Sequence, residues 1–244
     1  MLGLGAATIA YLGRPAPAVT ETLPVPNGFP VILQVETEWP TSPKRAVEPS
    51  AEERERRQTQ QRELLTRLRE GLAQEAQIPL ATVREVFHTP PSSATKTLVI
   101  DLLEMAEAEL DAGRSGAATQ LWKDAVRLGA PRARGGVVIH FLIALAVEKR
   151  TLESISAHLD RLSVTDRREL AQTLRSIDSK WEQPSVVFAR DLAVALEETP
   201  PKQRFGQRLV ARFNTGIKTA TEKTTQKFQA AARQRAALVQ ELGR

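Results

Sequence analysis

From Ala94 to Gly129 the apolar residues return every three or four positions, and no other stretch limits the fold so tightly. Leu98, Leu102, Met105, Ala106 and Leu110 follow the spacing that lines up one face of an α-helix. Gly113 ends that helix, and Ser115 is placed to cap a second one carrying Ala118, Leu121, Trp122, Ala125 and Leu128. The expectation is two antiparallel helices joined by a tight turn. Small Ala106, Ala118 and Ala125 let backbones approach, and Trp122 fills the groove beside them. Such a hairpin cannot bury its own faces, so further helices must stack on it.

The rest of the chain supplies them. Ser50, followed three residues later by Glu53, signals a helix start. That helix should run through Leu64, Leu65, Leu68 and Leu72 to about Gln77, with its charged first half left in solvent. Val137 to Lys149 is apolar nearly all round and reads as the central buried helix, followed by another from Thr151 to Leu162. Thr165 is expected to cap a helix ending near Trp181, and Pro184 to open one closed by Pro200 and Pro201. Phe205, Leu209, Phe213 and Ile217, then Phe228, Ala231, Ala232, Leu238 and Leu242, predict one or two amphipathic helices at the C-terminus. The fold class is therefore all-α: stacked α–α hairpins with a long basic C-terminal helix.

Upstream the pattern changes. Residues 1–18 begin with an uncharged apolar run, Met1 to Gly13, shorter than a membrane span and without the basic stretch that precedes a signal sequence. Either it is part of a targeting or anchoring segment, which would place the protein at the cell envelope, or it is an apolar terminus of a cytoplasmic protein. Residues 19–50 hold six of the eight prolines between positions 14 and 50 and read as a linker, within which Phe29 to Trp39 is expected to be extended, or a strap on the helical body. The organisation expected is thus a targeting segment at 1–18, a linker at 19–50, a helical array at 51–200 and a basic arm at 201–244.

The hairpin at 94–131 resembles a tetratricopeptide repeat in its Ala106, Gly113, Ala118, Trp122, Ala125 and Pro131, although Glu109 stands where that repeat usually has an aromatic residue. More widely, Leu68 to Leu72, the Gly113 turn, Ala133 to Ile139 and Leu159 to Leu162 resemble uncharacterised helical, tetratricopeptide-like envelope proteins of planctomycete-type bacteria over residues 60–195. Those proteins typically follow a membrane anchor and have no established activity. The resemblance implies an envelope location and a helical array, and no particular chemistry.

Catalytic signals are sparse. The absence of cysteine removes disulfides, thiolate metal sites and thiol nucleophiles. His88, His140 and His158 have no metal-ligand spacing, and His140, in the most apolar helix, is expected to be a core histidine bonded to backbone or to a carboxylate such as Glu148. Asp101, Glu104, Glu107, Glu109 and Asp111 read as a solvated helix face rather than a catalytic carboxylate pair. No phosphate-binding loop, nucleophile elbow or zinc helix motif occurs, so a non-enzymatic protein without cofactor is expected, holding a protein partner in its stacked helices.

Charge offers the rival reading. The net charge is +5, yet from Lys202 to Arg235 nine basic residues face the single acid Glu222, which leaves the remainder slightly acidic. Arg208, Arg212 and Lys218 are candidate contacts for an anionic membrane surface or, less favourably, for nucleic acid. Arg132 and Arg134, before Gly135 and Gly136 at a helix start, form a second candidate anion contact; the alternative is that the glycines serve the turn and close packing.

Overall fold

Proline in the opening turn of a helix costs no hydrogen bond, because the first N–H groups have no partner there. Pro30 occupies that position in α1 (Phe29–Glu38) of the computed structural model, which describes residues 21–40, 50–88, 94–198 and 215–243. Of the two expectations for this segment, an isolated extended stretch or a strap on the helical body, the first is overturned: the segment is a helix, and it lies on the body. Phe29, Ile32, Val35 and Trp39 are buried at helical spacing, so a core face outweighs the surrounding prolines. The apolar run at 1–18, residues 41–49, Arg208, Arg212 and Phe213 lie outside the described residues.

Helix α2 (Ala51–Ala73) begins as expected. Ser50 Oγ accepts from the Glu53 N–H at 3.1 Å, and Glu53 Oε2 accepts from the Ser50 N–H at 2.8 Å. Its first three turns are exposed and only Leu64, Leu65, Leu68 and Gly71 enter the core. It stops at Ala73 rather than Gln77 because the next residues pair with the chain before α1. The Gly28 N–H donates to the Glu75 carbonyl at 2.9 Å, while Asn27 accepts from the Gln77 N–H at 3.1 Å and donates to its carbonyl at 2.9 Å. A Cβ on Gly28 would lie 2.1 Å from the Gly71 carbonyl oxygen. Gly28→Ala should therefore cost about 1–3 kcal/mol, read as a lowered urea midpoint; an unchanged midpoint would mean that α1 does not approach α2 so closely.

Helix α3 (Leu80–His88) was not foreseen; it is a single short piece held by Val83, which packs with Ile78, Val137 and Val194. Helices α4 (Ala94–Asp111) and α5 (Ser115–Arg132) form the expected hairpin, with Gly113 at φ +76°. Two details differ. Arg114, not Ser115, is the N-cap residue, and Pro131 lies inside the last turn of α5 rather than beyond it. Ala106, Ala118, Trp122 and Ala125 are all completely buried.

Helix α6 (Val138–Ser156) runs without the break expected near Thr151, because that residue is buried and its hydroxyl donates to the Val147 carbonyl at 2.9 Å within the helix. A 3-10 turn (Leu159–Arg161) leads into α7 (Val164–Asp178), capped by Ser163 instead of Thr165: Ser163 Oγ accepts from the Asp166 N–H at 3.1 Å. Then come α8 (Pro184–Glu198) and α9 (Thr215–Leu242). No strand occurs among the described residues. Helices α4, α5 and α6 pack in succession, α7 lies on α5, α1 bridges α2 and α4, and α9 crosses α6, α7 and α8. Phe141, Trp181 and Phe228 meet with ring centroids 5.5–5.9 Å apart and seat α9 on α6.

The first and last of the described helices also bring one charge each into the interior. Glu36 of α1 pairs with Arg132 of α5, and Arg235 of α9 pairs with Glu148 of α6, all four side chains being nearly inaccessible. Arg235 also reaches Asp178, whose side chain is exposed.

Candidate functional site

The flank of α5 that faces α7 carries the half-buried Lys123 and Arg127 on positions between the buried Leu121, Asp124, Ala125 and Leu128, and half-buried Arg134 follows the end of the helix. Opposite them α7 presents Gln172, Thr173 and Ser176, and Lys180 follows its end. These residues line two adjoining hollows between α5 and α7 that share Arg127, together the α5–α7 groove. Its outer part, about 510 Å³, is open to solvent. Its inner end is a cleft of about 30 Å³, closed by Leu72, Glu75, Ala130, Pro131 and Ile177, with room for one small polar group and not for a metabolite.

The charges along the groove do not balance. Lys123 pairs with Glu169 at 2.9 Å and Arg134 reaches Glu75 at 3.5 Å. Among the described residues Arg127 and Lys180 have no ion-pair or hydrogen-bond partner, although Arg127 helps to hold down the Asp124 carboxyl. That carboxyl is raised by burial and opposed chiefly by Arg69, which donates to it at 2.8 Å. The cleft lies where α2, α5 and α7 all end, so part of the basic lining complements helix C-termini. The last carbonyls already accept backbone N–H groups, from Gln74 to Gly71, from Ala133 to Ala130 and from Lys180 to Ile177. Pro131 has no N–H to offer the Arg127 carbonyl four residues earlier.

Of the residues singled out from sequence, Arg134 belongs to this groove. Arg132 does not: it is buried on Glu36 and lies over the Phe29 ring, so it is unavailable to an external anion. Gly135, at φ +80°, and Gly136 serve the turn and packing, since a Cβ on either would lie within 3 Å of Ile78 atoms. Lys218 is in α9, but its side chain lies outside the description, whereas Lys223, Lys227 and Arg233 of that helix are exposed. Asp101 departs from the expected solvated face. It is buried and accepts from Trp39 Nε1 at 2.9 Å and from Arg57 at 3.3 Å. Arg127 and Lys180 were missed because nothing in a periodic pattern tells which exposed cations face each other across two helices.

No family model, curated protein or solved structure matches the chain. The groove must therefore be read from its own chemistry.

Groups that titrate lie elsewhere. Among the described residues no cluster of histidines and carboxylates is placed to hold a metal. Ser154, Glu107 and His158 gather on α4 and α6, but His158 Nδ1 contacts the Ser154 carbonyl at 2.9 Å rather than its hydroxyl, which accepts from Trp122 and reaches Glu107. That is a structural knot and not a nucleophile with its base.

His140 is the core histidine expected, and of the two partners expected for it, backbone or a carboxylate such as Glu148, it takes the backbone. Its Nδ1 accepts from the Val137 N–H at 3.3 Å, so the neutral ring carries its proton on Nε2. Burial and then the Arg132 charge lower its pKa to about 4. An unfolded chain takes up this proton near pH 6.5 and the folded protein only near 4, so acidification through that window favours unfolding, by roughly 3 kcal/mol at its lower end. Glu148, Asp124 and Asp191, raised by burial, act in the opposite sense. The test is therefore a comparison with His140→Gln, since glutamine at this position keeps an acceptor for the Val137 N–H. The wild type should lose that increment relative to the variant between pH 6.5 and 4 in urea titrations, and parallel curves would refute it.

Proposed function

We propose that the protein is a non-enzymatic helical scaffold that holds a protein partner, its hairpins stacked in tetratricopeptide fashion, at the cell envelope. The observation that carries the scaffold reading is the α5–α7 groove: an open, polar trough on rigid helices, with a closed end too small for a metabolite. Helices suit recognition because their backbone is already ordered before binding. Envelope location rests on the apolar run Met1 to Gly13 and on the resemblance to planctomycete-type envelope proteins. Among the described residues no helix is long and apolar enough to cross a membrane.

A photo-crosslinking amino acid placed at Ser176 in native cells should give a discrete protein adduct, while one at exposed Glu55 should not. Equal labelling at both positions, or none at Ser176, would sink the reading. Fractionation of the same cells, with protease added to spheroplasts, tests the location. A second reading, binding to an anionic lipid surface or nucleic acid through the C-terminal arm, draws on exposed Lys223, Lys227 and Arg233. It predicts binding that falls steeply with salt and is lost when these three are reversed in charge.

A further inference from the structure

We infer that the α5–α7 groove takes an acidic, extended peptide segment, with one of its carboxylates entering the cleft between Arg127, Arg134 and Lys180. The inference rests on the scaffold reading and specifies its partner. Two cations, Arg127 and Lys180, stand in the groove with no ion-pair partner among the described residues. Asp124, the acid whose charge Arg127 feels, is buried and taken by Arg69, and both lining acids, Glu169 and Glu75, already face Lys123 and Arg134. The excess charge is therefore positive. The helix ends beside the cleft oppose an anion with at most about half a charge each, an effect confined to the last turn and reduced by carbonyls already accepting hydrogen bonds.

The rest of the lining selects a peptide over a simple anion. Exposed Gln172 and Ser176 offer polar groups along the trough, and the Arg127 carbonyl lacks its usual helical donor because Pro131 follows at the fourth position. A peptide brings N–H groups for such acceptors; phosphate brings none. The inner cleft, about 30 Å³, matches a single carboxylate rather than a larger head group. The protein's own segments outside the described residues are poor occupants. Their charged residues are Arg14, Lys44, Arg45, Lys202, Arg204, Arg208, Arg212 and Arg244, against Glu48 alone, so a basic groove repels them.

The test uses the full chain and a fluorescein-labelled octapeptide alternating glutamate with alanine, read by anisotropy at low salt. Binding should weaken roughly tenfold for each reversal in Arg127→Glu and Lys180→Glu, both at accessible positions, and remain unchanged in Arg150→Glu, an exposed α6 residue outside the groove. The lysine counterpart of the peptide should not bind, and inorganic phosphate at matched ionic strength should not compete. Failure of the glutamate peptide to bind, equal loss in Arg150→Glu, or full competition by phosphate would each overturn the inference. A partner crosslinked at Ser176 that proves neutral or basic would overturn it too, while leaving the scaffold reading standing.

Discussion

Arg235→Ala should unfold at a markedly lower urea concentration than the wild type, with a loss of about 3–5 kcal/mol near neutral pH. The substitution leaves Glu148 buried without its counter-ion, and one of its oxygens, Oε2, already lacks a hydrogen-bond partner. It also removes the guanidinium that lies over the Trp181 ring, with its carbon 5.9 Å from the centroid. Two further outcomes separate this cause from a general loss of packing. Burial already raises the Glu148 carboxyl against the pull of Arg235, so without the arginine it should take up a proton at a higher pH still. A carboxyl whose folded pKa is raised gains stability as pH falls through that pKa, so the deficit of the variant should narrow under mild acid. Joining Arg235→Met to Glu148→Leu should recover most of the loss, because a buried ion pair rarely outperforms well-packed apolar groups of similar volume. A deficit independent of pH, or a double variant as unstable as the single one, would show that the pair is not what seats α9.

Trp122→Ala should cost a similar amount, about 3–5 kcal/mol, with a conservative Trp122→Phe losing much less. Trp122 is completely buried at the crossing of α4, α5 and α6. It fills the space left by Ala106, Ala118 and Ala125, donates from Nε1 to Ser154 Oγ at 3.0 Å, and lies against the His158 ring at 5.9 Å. Truncation therefore removes a large apolar group and one of the two hydrogen bonds of the Ser154 hydroxyl. Thermal or urea unfolding reads the loss, and a midpoint within error of the wild type would show that the hairpin is not the centre of the core.

The two variants probe different kinds of information. The Trp122 site was legible because the α4–α5 hairpin is local: its spacing, its small residues and the Gly113 turn all lie within one contiguous stretch, and the interactions that form it need no distant partner. The Ser50 and Glu53 cap was legible for the same reason. Helix α1 was misread because its prolines were weighed above its own spacing. Phe29, Ile32, Val35 and Trp39 recur as a helix face does, and Pro30 sits where proline is harmless.

The buried ion pairs were only half visible. Arg235 falls on the stripe of Ala231, Leu238 and Leu242, and Glu148 on that of Ala144, Leu152 and Ile155, so each is a charge on an apolar face, although Arg235 was read only as part of the basic arm. A charge there demands a partner, but nothing local names it. Glu148, one of the alternatives expected to partner His140, pairs with Arg235, 87 residues away. The groove was less visible still, since Arg127 and Lys180 are ordinary exposed cations on their own helices.

The sequence by itself determined the all-α class, most of the helices, the start of α2 and the hairpin at the centre, because helical periodicity and capping are written in residues a few positions apart. Only the tertiary structure decided which charges were buried together, which remained unpaired and where a groove opened. Those outcomes depend on how helices far apart in the chain are brought side by side, and on the high cost of leaving a charge alone once water has been excluded.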